Sequence, residues 1–225
     1  MTVSEMIEEL ALALDDPTSE VFTDTIRLRM INRAQERVVE ETLCYRLVER
    51  IDLSDDANRY ELPAGFLKEF NVQFRDSGDN TVQYIPRTRT TAVGDTTEFN
   101  TERFYFIERE VNGLDKSELV LWPSQIDVKW TDQGSHPYNG NIAKVTYASQ
   151  TLSTLVKGDG FSAPAFAHEA IYYEALSRLS MHPRAKLDIN KAMFIRQQAD
   201  RELSKVRRKA AQVLGRTARA PLTPF

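Results

Sequence analysis

The sequence predicts an α+β fold: a helical bundle from N- and C-terminal helix pairs, with an inserted, mostly antiparallel β lobe. Three observations predict it. Apolar residues recur at helical spacing near both ends of the 225-residue chain. They alternate with polar residues through the middle hundred, as half-buried strands do. Neither end pair of helices is expected to close a core alone, so the economical solution packs the pairs together.

The first helix is predicted over residues 3–14. Thr2 followed by Glu5 fits a capping box, and Met6, Ile7, Leu10 and Leu14 share a face. Asp15-Asp16-Pro17 breaks it, because proline cannot donate to a helical ladder. A second helix is expected over 24–44, with Leu28, Ile31, Ala34, Val38 and Thr42 as its stripe and Arg27, Arg33 and Arg37 mostly off it. The β lobe then covers about 46–149. Leu47 to Leu53 and Tyr60 to Leu62 read as one hairpin around Asp55-Asp56-Ala57-Asn58. Phe70, Val72 and Phe74 with Val82 and Tyr84 read as a second. Residues 86–101 are polar and read as a loop. Strands follow at Phe104 to Ile107 and Leu119 to Trp122, around Asn112-Gly113, and then at Ile126 to Trp130 and Ala143 to Tyr147, with a long loop over 131–141. The third helix is expected over 164–181, opened by Pro164 near its first turn. The fourth is expected over 188–214, with Ala192, Ile195, Ala199, Leu203, Val206, Ala210 and Val213 as its stripe. Residues from Gly215 on show no periodicity and are expected to be extended. The whole reads as a single domain over 1–205, followed at 206–225 by a basic helix end and arm.

The composition is that of a soluble globular protein: 41% hydrophobic and 28% charged. No apolar run approaches the ~20 residues that span a bilayer. Residues 1–14 hold Glu5, Glu8 and Glu9 and no basic residue, unlike a secretory signal. The single Cys44 allows no intrachain disulfide and fits a reducing origin. The formal net charge of −4 conceals a split. Residues 183–225 hold eleven basic and three acidic residues, a balance of +8, which leaves −12 for residues 1–182.

No reaction centre is spelled out, and the expectation is that the chain is not an enzyme and carries no cofactor. His168-Glu169 begins like a zinc-protease motif, but Tyr172 stands where the second histidine is needed. Gly158-Asp159-Gly160-Phe161-Ser162-Ala163 fits a dinucleotide fingerprint only if a βαβ unit follows, and helices follow instead. Cys44 lies beside Glu40 and Glu41, which disfavour a thiolate. No serine sits in a GxSxG elbow. The basic end is the strongest remaining signal. Its cations suit phosphates, an acidic protein surface, or simply the C-terminal end of a helix dipole.

Four segments carry a family resemblance: Ile31-Asn32-Arg33-Ala34-Gln35-Glu36; Tyr60-Glu61-Leu62-Pro63-Ala64-Gly65-Phe66-Leu67; Leu119-Val120-Leu121-Trp122-Pro123 with Lys144-Val145-Thr146-Tyr147; and Pro164-Ala165-Phe166-Ala167-His168-Glu169-Ala170-Ile171. In their order, over about residues 24–205, the chain resembles a bacteriophage head-to-tail connector, the portal adaptor of the tail tubular protein A or podophage tail-accessory kind. The resemblance implies a structural virion protein at the head–tail junction, assembled in the host cytoplasm. Such adaptors form a homo-oligomeric ring, typically of twelve copies. The implied partners are further copies of the chain, the portal protein, a tail or nozzle protein, and genomic DNA in transit, with no membrane. An acidic channel wall would let DNA pass without sticking. The arm residues Arg207, Arg208, Lys209, Arg216, Arg219 and Phe225 are the candidates for portal contact. Two alternatives stand beside this reading: a nucleic-acid-binding protein acting through the basic arm, whose binding would weaken steeply with salt, and an adaptor with cell-wall hydrolase activity.

Overall fold

The computed structural model describes residues 1–53, 59–75, 78, 80–82, 85–86, 104–109, 116–122, 141–150, 152–185 and 187–217. The expected loops at 86–101 and 131–141, the strand at 126–130 and the turns at Asp55 and Asn112 lie outside them, apart from Pro86 and Asn141. The chain forms two compact units, Met1–Arg46 with Ala148–Phe225, and Leu47–Tyr147. The fold is α+β, as expected.

The first unit is helical. Helix α1 (Val3–Ala13) carries the full capping box. The Thr2 hydroxyl accepts from the Glu5 amide at 3.2 Å, and the Glu5 carboxylate accepts from the Thr2 amide at 2.7 Å. The Val3 N–H donates to the Asp159 carbonyl at 3.3 Å. Three of the four orphan donors of the helix start are thereby satisfied. Gly158, at φ +103°, turns the chain so that this carbonyl can reach it. The glycine pair is thus a structural turn.

Between α1 and α2 (Asp24–Thr42) the chain folds around one carboxylate. Asp16 is buried and accepts from the amides of Glu20, Val21 and Phe22 at 2.9, 3.2 and 2.8 Å. Its second partner is Arg27, whose Nη2 lies 2.8 Å from Oδ2. Arg27 was expected off the buried stripe but is 1% exposed. The ready-made anion of Asp16 explains it, since a buried cation persists only when paired and hydrogen-bonded. Helix α2 ends earlier than its apolar pattern suggests, because Leu43 adopts a left-handed conformation (φ 53°) and donates to Val39 at 2.8 Å.

Helix α3 (His168–Ser180) follows a 3₁₀ turn at Ala165–Ala167, and α4 spans Ile189–Thr217. Helix α4 runs through Gly215, Arg216 and Thr217, residues expected to be extended. Helices α2 and α3 form the middle of the unit: α1 and α4 each pack on both. The core joins Val3, Met6, Ile7 and Leu10 of α1 to Ile31, Ala34, Val38 and Val39 of α2. Ile171, Ala175 and Leu179 of α3 and Ile195, Leu203, Val206 and Ala210 of α4 complete it. Asn32 pins the segment before α3 to α2. Its Oδ1 accepts from the Leu155 amide at 2.8 Å and its Nδ2 donates to the Leu155 carbonyl at 3.2 Å. One side-chain amide thereby satisfies both backbone groups of a buried residue.

Among its described residues the second unit holds two four-stranded sheets, ordered β1-β8-β3-β4 and β2-β7-β6-β5. The strands are β1 (Arg46–Asp52), β2 (Arg59–Glu61), β3 (Phe66–Arg75), β4 (Thr81–Val82), β5 (Ile85–Pro86), β6 (Phe104–Arg109), β7 (Ser117–Trp122) and β8 (Ile142–Ser149). The expected pairing of β3 with β4 is present, with Phe74 opposite Val82. The first expected hairpin is not. Strand β1 lies beside β8 in one sheet, and β2 pairs with β7 in the other. Alternation marks a strand and its buried face but carries no information about its partner. Strands β5 and β6 run parallel; the β6–β7 pair is antiparallel. Leu119 and Leu121 of one sheet share a core with Phe74, Ala143, Val145 and Tyr147 of the other. The Phe74 and Tyr105 rings sit 5.4 Å apart within it. Glu108 and Glu118 stand opposite each other on β6 and β7, a repulsive cross-strand pair. Arg59 of β2 relieves it by reaching both, at 2.7 and 3.1 Å.

Candidate interaction surface of the helical unit

A chain of charges ties α2, α3 and α4 together. Its centre is the buried carboxylate of Glu174 on α3. Arg37 and Arg178 each lie 2.7 Å from its Oε1, and Arg196 lies 3.6 Å from its Oε2. Arg37 also meets Glu41 at 2.7 Å, and the hydrogen bonds to Glu41 and Glu174 hold its guanidinium above its ordinary value. Glu41 in turn receives Arg207 of α4: Nη2 is 2.7 Å from its carboxylate and Nε donates to its carbonyl at 3.2 Å.

The residues singled out from sequence therefore part company. Arg207, though exposed, is held by Glu41 of α2. The Lys209 ammonium lies 5.3 Å from the Phe166 ring centre, a cation–π contact within the unit. Arg208 is exposed, its Nε 3.4 Å from the Ser204 carbonyl. Arg216 lies in the last turn of α4, while Arg219 and Phe225 lie outside the described residues. The Arg37–Glu41 pair was legible as an i,i+4 spacing. The Arg207–Glu41 pair, formed across 166 residues, left no trace in the sequence.

The other candidates take structural places. His168 Nε2 lies 3.2 Å from the Ala163 carbonyl, its ring centre 4.6 Å from that of Phe161, and burial pushes its pKa down. Cys44 is buried, and burial raises the thiol well before Glu40 and Glu41 need be invoked. Among the described residues, no group of three or more His, Cys, Asp or Glu could hold a metal, and no helix is long and apolar enough to cross a membrane.

What the helical unit does present is two marked outer faces. On α1, Glu5, Glu8, Glu9 and Leu12 share the side opposite its buried residues, and Leu12 is 72% exposed. On α4, Phe194, Arg201, Lys205 and Arg208 follow one another at steps of seven, four and three, a single outward stripe. Phe194 is 62% exposed, and Asp200, Arg201, Ser204, Lys205 and Arg208 line a shallow depression.

The described residues thus form an α+β scaffold that presents two charged helix faces, each with an exposed apolar residue beside it. Residues 1–224 match the model of the SU10 adaptor protein family, and the chain belongs to that family. It is thus a phage head–tail adaptor, a structural component of the virion that meets other head or tail proteins. Among curated proteins, none matches the chain.

Proposed function

We propose that the chain assembles as a ring, of the twelve-copy kind, between the portal and the tail, and extends the DNA channel there. Its narrower kinship would be with tail tubular protein A and podophage tail-accessory adaptors. The observation that carries this reading is the family match over residues 1–224. The balance of −12 over residues 1–182 supports it, because an acidic wall repels phosphates and lets a duplex slide. A tail or nozzle protein would be received on the far side of the ring. No catalytic step is assigned to the chain.

The portal contact falls to the end of the chain. Val206 and Ala210 belong to the helical core and Arg207 is held by Glu41, so the first turns of the basic segment brace the unit itself. Arg216, Arg219 and Phe225 are left to reach the portal. Removing residues 218–225 spares every core residue named above. Binding of that truncated chain to portal rings of the same phage, measured by co-sedimentation, is expected to weaken at least about tenfold; unchanged binding would dismiss the arm.

A further inference from the structure

We infer that neighbouring copies in the assembly meet head to tail, the acidic outer face of α1 on one copy docking on the basic outer stripe of α4 on the next. The inference deepens the ring reading and rests on it. Its ground is complementarity of two faces carried by the same unit. The α1 face offers Glu8 and Glu9 beside exposed Leu12; the α4 face offers Arg201 and Arg208 beside exposed Phe194. Each is an apolar anchor beside an excess of one charge, with Asp200 the one acid among the α4 cations, and the two excesses are opposite. Opposite potentials steer encounter and fix register, while exposed apolar side chains supply the burial.

Placement favours a second copy as the occupant. Helices α1 and α4 both pack on α2 and α3, so each keeps its outer side free of the bundle core. An acidic face does not pair with its own duplicate, nor does a basic one, so each face needs the other kind as its partner. Where the two faces of a copy engage two different neighbours the contact is heterologous, and such contacts close into rings when the rotation permits. The depression is lined by Arg201, Lys205 and Arg208 and by one acid, Asp200, which Arg196 approaches to 3.8 Å, so its balance is basic. Of these residues, Lys205 also pairs with buried Glu202, so Arg201 and Arg208 are the more available cations.

The test uses the full chain and mass photometry, alone and on portal rings. Glu8→Lys with Glu9→Lys leaves both faces basic; Arg201→Glu with Arg208→Glu leaves both acidic. Each double variant is expected to self-associate at least about tenfold more weakly than wild type. An equimolar mixture of the two is expected to assemble, since every contact then pairs opposite signs in alternation, and so is a single chain carrying all four changes. All four residues are exposed, and circular dichroism melts verify the fold. Leu12→Ser and Phe194→Ser, which change no charge, are expected to weaken assembly as well. Wild-type assembly retained by both reversals, or a mixture no better than its components, overturns this choice of faces and leaves the ring reading standing. A wild type that never associates, even on portal, overturns the ring reading and this inference with it.

Discussion

Asp16→Ala is expected to lower the free energy of unfolding by about 3–5 kcal/mol, the usual loss when one member of a buried ion pair is removed. Asp16 and Arg27 are both buried, and the carboxylate also receives three backbone amides. Deleting it strands those donors together with the guanidinium. Arg27 would keep the Asp16 carbonyl on Nη2 and, on Nη1, Ser19 at 2.9 Å and the half-exposed Asp24 at 3.4 Å, but no buried counter-charge, while Nε has no acceptor among the described residues. Burial by itself raises the Asp16 carboxyl, but the amides of Phe22, Val21 and Glu20, with Arg27, outweigh it and hold the carboxyl below its usual value. A depressed folded value means that the stabilisation is present above the unfolded value, near 3.9, and is lost as pH falls through the folded one. Asp16→Asn should therefore differ from wild type most at neutral pH, with the gap closing below about pH 4. Urea melts across that range check both statements, and a neutral-pH loss under about 1 kcal/mol would contradict the first.

Ile171→Ala should cost about 2–5 kcal/mol through lost burial and the cavity left behind. Ile171 is fully buried on α3, the helix that α1, α2 and α4 all touch, so its neighbours come from several elements and cannot collapse together into the gap. Urea unfolding should show a lower midpoint at an unchanged slope. Because α2 and α3 support both outer faces, the variant should also assemble less well near its midpoint and normally well below it.

Much of this architecture was legible. The Thr2–Glu5 spacing announced the start of α1, and the helical stripes named most of the residues that meet in the core, though Val213, on the expected stripe of α4, is exposed. Alternation located strands such as β3, β7 and β8. What stayed hidden depended on distant partners. Arg27 reads as a surface arginine until Asp16 is seen beneath it, and β1 and β2 read as a hairpin because a turn-rich stretch joins them. The basic end was visible as charge, yet its division was not: Arg207 serves the bundle through Glu41, Arg208 faces outward, and the spacing of the two adjacent arginines is silent on the difference. The outer face of α1 was equally hard to weigh. Glu5, Glu8 and Glu9 look like an ordinary solvated face, and exposed Leu12 gains meaning only beside the opposite stripe on α4.

Family membership makes the chain a phage adaptor, and the ring on the portal is the central claim built upon it. Cryo-electron microscopy of the purified chain with and without portal rings of the same phage is the decisive measurement for that claim. An added, rotationally symmetric ring of density is expected on one face of the portal, with acidic side chains lining its lumen. Portal rings that remain bare at saturating chain, or an added ring with a basic lumen, would contradict it.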